Sequence, residues 1–170
     1  IGGDERRTGA ESFRQLYAEA RDQGLHLTAH AGETVGPESI WSALNIGAER
    51  IGHALSARQD EELLEVLSQK QVPLEICISS NLRTGCCGRP EDHPVRNYFE
   101  NGLMVTLNSD DPTLFNSNLA DEYLLAHKQY DLTLEHLREL AGNSIEASFL
   151  PAGRKLELLR RVEQYPDPVE

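Results

Sequence analysis

The chain has 170 residues, 39% of them hydrophobic and 26% charged, the profile of a globular protein rather than of a disordered or fibrous one. A formal net charge of −12 with no basic stripe argues against nucleic acid as a partner, because an acidic surface repels phosphate backbones. No run approaches the ~18 apolar residues of a membrane helix, no basic-then-apolar leader opens the chain, and three cysteines, two of them adjacent, fit reduced thiols in a cytoplasmic protein better than a disulfide framework.

Residues 9–23 place Phe13, Leu16, Tyr17 and Ala20 on one helical face, and Gly24 follows as a stop signal. Leu25–Ala29 is short and apolar and reads as a strand. Pro37–Ile46 reads as a helix with proline in its first turn. Arg50–Ala54 predicts a second strand, and Asp60–Gln69 a helix with Leu63, Leu64 and Leu67 on its apolar face. Val72–Ser79 predicts a third strand, residues 94–100 a short helix, and Leu103–Leu107 a fourth strand. From Leu119 to about Gln164 the pattern is helical, punctuated by Asp131 as a cap for the segment at 133, by Gly142–Asn143 and by Pro151.

Strands and helices thus alternate about four times, which implies parallel βαβ units and an α/β fold. The strands read as nearly continuously apolar, as if buried on both faces. A complete (β/α)8 barrel takes ~250 residues, so four units and a helical tail make half of one. No linker divides the chain, and residues 1–170 are read as a single domain. An open four-stranded sheet leaves two edges and one apolar face uncovered. That predicts a dimer, a partner half or aggregation. Together with Ile1 as first residue and no methionine before Met104, it makes a fragment of a protein longer at its N-terminus the expectation.

Each predicted strand finishes in residues able to do chemistry: His30-Ala31-Gly32-Glu33, Gly52-His53, Ser79-Ser80-Asn81, and Asn108-Ser109-Asp110-Asp111-Pro112. In parallel α/β proteins, catalytic groups gather at the carboxyl ends of strands. Two histidines, a glutamate and two aspartates converging there suggest a metal with acid–base partners. Singly, each has a plainer reading. A lone histidine is more often a hydrogen-bonded residue than a ligand, a bare Asp-Asp-Pro is more often a turn and helix start, and Asp4 and Glu5 are ordinarily solvated. Glu75 inside an apolar run needs a partner, and the sequence assigns it no role. The joint pattern carries the weight.

His30-Ala31-Gly32-Glu33, Gly52-His53, Glu75-Ile76-Cys77, Ser109-Asp110-Asp111-Pro112 and Ser148-Phe149-Leu150-Pro151 resemble the adenosine deaminase family, in order and at similar spacing, and Gly3-Asp4-Glu5 resembles the Gly-Asp-Glu that ends its preceding strand. The resemblance spans roughly residues 2–165. It implies the C-terminal half of a TIM-type (β/α)8 barrel with the N-terminal half as the missing partner. It implies Zn2+ held by His30 and Asp110, and Glu33 as the proton donor at purine N1. His53 would orient the attacking hydroxide or take its proton. Asp111 would bind substrate and face the hydroxide, and Gly3 would contact the purine through its backbone. Ser80 matches a serine near the site with its role open. The implied reaction is adenosine to inosine plus ammonia; the alternatives are adenine, a 5′-modified adenosine such as aminofutalosine, or a non-catalytic truncated homologue. Zinc supplies hydroxide near neutral pH by lowering the pKa of its water.

Three departures matter. The family's His-x-His, which supplies two further zinc ligands, is absent from this chain. The expectation is therefore weak zinc binding and no activity for these residues by themselves. Ile78 stands where many members have proline after the cysteine, which should not remove chemistry. Cys86-Cys87 is a substrate-shaping feature, a metal-sensitive thiol pair, or a pair without function, and the last is preferred. Other enzymes fit less well. His26-Leu27-Thr28-Ala29-His30 has the spacing of a zinc-protease helix but lacks its glutamate, and in a strand the two histidines stand ~13 Å apart. Cys77 or Cys86 with His93 would make a cysteine hydrolase, but nothing in the sequence lowers a thiol pKa. The Pro-Cys-x-x-Cys of the nucleic-acid base deaminases is missing.

Overall fold

A computed structural model describes residues 1–166. Four strands, β1 (Thr28–Ala31), β2 (Arg50–His53), β3 (Leu74–Ile76) and β4 (Val105–Leu107), form one parallel sheet in the order of the sequence. Helix α1 (Arg14–Asp22) precedes the sheet after a 3-10 turn at Ala10–Phe13. Helices α2 (Pro37–Ile46), α3 (Glu61–Gln69) and α5 (Val95–Glu100) make the crossovers. Consecutive parallel strands joined by helices are half of a (β/α)8 arrangement. Two short helices, α4 (Ile78–Arg83) and α6 (Pro112–Phe115), come next in the chain after β3 and β4. The tail is α7 (Leu119–Tyr130), α8 (Leu134–Glu146) and α9 (Ala152–Glu163). Among the described residues no helix is long and apolar enough to cross a membrane.

Local signals account for most boundaries. Pro37 opens α2, and Gly47, at φ 98°, closes it. Asp60 caps α3 by accepting from the Leu63 amide. Several expectations are corrected. β1 begins three residues late, because Leu25 still closes the α1 end through the Ala20 carbonyl, so His30 lies within the strand. The third strand stops at Ile76, and Ser79-Ser80-Asn81 sit on α4. Asp131 ends α7 in the left-handed region, while Thr133 caps α8. Gly142–Asn143 does not interrupt α8. The Asn143 amide donates to the Val105 carbonyl of β4, tying α8 to the sheet.

The register separates two faces. His30, Gly52, Glu75 and Thr106 are aligned neighbours across the sheet, as are Ala29, Ile51, Leu74 and Val105. Side chains alternate along a strand, so the first row faces one way and the second the other. The apolar row is fully buried with Ile40, Leu63, Leu67 and Tyr98 of the crossover helices. The opposite face is polar, and the expectation of strands apolar on both sides fails. Glu75 gains its partner there. The Arg50 guanidinium lies 3.2 Å away. Arg50 also lies over the Phe149 ring and donates to the Ala147 carbonyl, tying β2 to the α8–α9 junction.

Candidate active site

The carboxyl ends of the four strands open into a cleft of about 670 Å³ lined by His30, His53, Glu75, Cys77 and Asp110, among others. A separate, apolar groove of about 550 Å³ lies between the tail helices and presents no acid–base constellation.

His30 projects from the polar face of β1. Its ring lies against Gly52, where a Cβ would come within 2.8 Å of His30 Cδ2, so glycine makes the room. The chain then turns at Gly32, at φ 70°, where a Cβ would meet Ser56 Oγ at 2.5 Å and Ile40 at 2.6 Å. This turn carries Glu33, and it is clamped from outside by Glu5. The Glu5 carboxylate accepts from the backbone amides of Gly32 (2.7 Å), Glu33 (2.9 Å) and Thr34 (2.8 Å) and from the hydroxyls of Thr34 and Ser39. Burial pushes its pKa up, but these bonds, that of the Thr34 amide foremost, outweigh burial and hold it below the usual range. Sequence reasoning left Glu5 as a solvated charge. The available signal was its place in Gly3-Asp4-Glu5.

His53 ends β2 in the left-handed region, at φ 66°, followed by Ala54 at φ 50°. Such backbone is uncommon for residues with a Cβ and persists where the surroundings enforce it. The side chain is buried, with Nε2 3.7 Å from a Glu33 carboxylate oxygen and its ring edge-on to His30 at 4.6 Å. Burial depresses its pKa, Glu33 opposes that, His30 adds to it, and the net shift is downward. Asp110 also adopts a left-handed backbone, at φ 56°, and its carboxylate accepts from Ser80 Oγ at 2.7 Å.

Among the described residues, potential ligand atoms within 4.8 Å of one another form two groups: His30, Glu33 and His53, and His53, Cys77 and Asp110. Imidazole nitrogen with carboxylate oxygen is a donor set suited to zinc. Gly3 and Asp111 stand outside these clusters. Gly3, at φ 110° and exposed, lines a neighbouring cleft of about 230 Å³ that His30 also borders. Asp111 is exposed at the start of α6, above a shallow depression with Pro112, Thr113 and Leu114.

The rival constellations do not assemble. His26 pairs with Glu49 at 3.0 Å and stacks on Phe149, away from the cleft. Burial pushes the Cys77 and Cys86 thiols up, against nucleophilic use. Cys86 lies beside Glu33, and Cys87 is buried against the Arg89 carbonyl. Ile78 takes the first position of α4 and is fully buried.

The profile of the family described as adenosine deaminase matches residues 1–165. The chain belongs to the adenosine deaminase family. The aminodeoxyfutalosine deaminase of Streptomyces avermitilis is 41% identical over 97% of this chain and 46% of its own length. The adenosine deaminase of Salmonella heidelberg is 38% identical over 95% of this chain and 49% of its own. Among solved structures, the adenine deaminase of Arthrobacter aurescens superposes with a TM-score of 0.93 at 34% identity, covering 96% of this chain and 50% of that one. An amidohydrolase from Burkholderia ambifaria with bound Zn shares the fold at a TM-score of 0.87 and 23% identity, covering 96% and 47%. The chain thus spans about half the length of the relatives it matches, and its four strands are the C-terminal half of their TIM-type barrel.

Proposed function

We propose that these residues are the C-terminal part of a hydrolytic deaminase acting on the 6-amino group of a purine. The observation that carries the reading is the convergence of His30, Glu33, His53 and Asp110 at adjacent strand ends, two of them held in left-handed backbone. His30 and Asp110 would hold Zn2+, which when bound lowers the pKa of water toward about 7 and so provides a nucleophile at neutral pH. Ser80 holds the Asp110 carboxylate in place. Glu33, on a turn fixed by Glu5, would give its proton to purine N1 as electrons move there from C6. His53, 3.7 Å from Glu33, would orient the attacking water. Asp111, and Gly3 through its backbone, would hold the substrate. The three free cysteines fit a cytoplasmic setting.

Adenosine, converted to inosine and ammonia, is the first substrate proposed. A 5′-modified adenosine such as aminofutalosine is the second reading, favoured by the 41% identity to an aminodeoxyfutalosine deaminase. Adenine is the third. The deciding experiment measures ammonia release by the full-length, zinc-loaded protein with each of the three in parallel. Turnover of one, abolished by Glu33→Gln and by Asp110→Ala, supports the reading and names the substrate. No turnover with zinc stoichiometrically bound favours a non-catalytic or differently specific homologue.

A further inference from the structure

Behind His53 runs a chain of buried polar groups that no step above uses. Asn81, on α4, is completely buried and places its side-chain amide 3.0 Å from His53 Nδ1. The other end of that amide lies 3.2 Å from Nε2 of His93, also buried. His93 Nδ1 in turn faces the backbone amide of Val95 at 3.2 Å. Pro94, between them, has no N–H, so Val95 contributes the first free amide of α5.

The polarity of this chain follows from its far end. A backbone N–H can only donate, so His93 Nδ1 accepts and a neutral His93 carries its proton on Nε2. That proton needs an acceptor, which must be the Asn81 carbonyl oxygen. The Asn81 amino group therefore faces His53, and His53 Nδ1 must accept. Burial presses His93 down to about 4, which keeps it neutral near pH 7. Reversing any link would leave two buried donors or two buried acceptors face to face, an arrangement that costs more than the bond is worth.

We infer that Asn81 and His93 are positioning residues that hold His53 with its proton on Nε2, so that His53 gives a hydrogen bond into the cleft and offers no lone pair there. Its consequence for turnover rests on the deaminase reading: His53 orients and stabilises by donation and is not the group that takes the proton of the attacking water. The relay runs through Asn81 of α4 and His93 of the turn before α5 to the Val95 amide.

The test uses the full-length, zinc-loaded protein labelled with 15N in histidine. Two-bond proton–nitrogen correlation spectra show which imidazole nitrogen bears the proton, and His53→Asn identifies the signals. The expected result is an unprotonated Nδ1 and a protonated Nε2 on His53. Asn81→Asp replaces the donor by an acceptor of the same shape and should place a proton on Nδ1. In the same variant kcat should fall by about a hundredfold while KM stays within about threefold. Should Asn81→Asp fold poorly, His93→Gln, which can still donate to Asn81, should keep the native tautomer, and His93→Leu should give a mixture. A native His53 protonated on Nδ1, or a tautomer unmoved by Asn81→Asp or His93→Leu, overturns the inference. A protein with the expected tautomer that deaminates none of the 6-aminopurines overturns the functional reading instead and leaves the relay standing.

Discussion

His93 is buried and its pKa is pressed to about 4, against an ordinary 6.5, chiefly by burial and secondarily by the nearby Arg58. The unfolded chain therefore binds a proton at a pH where the folded one does not. Stability from this residue is complete above about 6.5 and is lost as pH falls toward about 4, by up to about 3 kcal/mol. Urea unfolding at pH 7 and pH 4.5 should show His93→Gln narrowing that difference; equal slopes for both proteins would contradict the assignment. Gly52→Ala should push the His30 ring aside, since the added Cβ would lie 2.8 Å from it. In the full-length protein, chelator competition should then show zinc affinity lowered by about tenfold or more with the far-UV circular dichroism unchanged. Legibility at this scale divided by distance along the chain. His30, Glu33, His53 and Asp110 lie at or just past the carboxyl ends of short strands, and polar residues following apolar runs made them visible in the sequence. The roles of Asn81 and His93 were not visible, because their link to His53 spans 28 and 12 residues and exists only through folding. Glu5 was hidden for the same reason, 28 residues from the Glu33 amide it holds.

Helix α3 shows how a single cap serves two elements. Asp60 accepts from Trp41 Nε1 of α2 and from the Leu63 amide, and these bonds, that of Trp41 foremost, hold its carboxyl below the usual range. Asp60→Ala removes both bonds and should lower the denaturation midpoint; Asp60→Asn should recover most of the loss. Elements with such punctuation were readable: Pro37 and Gly47 bracket α2, and Asp60 marks the start of α3. The third strand was not, because Cys77-Ile78-Ser79 is as apolar as the strand before it and carries no breaker. The turn into α4 is set by tertiary contacts, the Ser79 amide donating to the buried Glu122 carboxylate of α7. Local pattern cannot report a helix start fixed from 43 residues away.

At the scale of the whole molecule, the sheet's hydrogen bonding continues past β1. The Ile1 ammonium donates to the Thr28 carbonyl, and the His30 amide donates to the Ile1 carbonyl. The first residues thus lie where a neighbouring strand would lie. With His30 and Asp110 as its proposed ligands, the 170-residue chain alone should bind zinc much more weakly than the full-length protein. Isothermal titration of the two side by side checks this, and equal affinities would remove the need for ligands from elsewhere. Sedimentation velocity of the 170-residue chain should show self-association through its open sheet edges; a monodisperse monomer would count against that. The alternation of faces described above has a further consequence, for how such a sequence can change. Ile51 and Leu74 bind the helical layer, while Gly52 and Glu75, one step along the same strands, look into the cleft. A saturation screen for abundance should therefore be intolerant at one set of positions and permissive at the next, with a period of two, and a screen for activity should show the complementary comb. New specificities could be tried on one comb while the other keeps the chain folded.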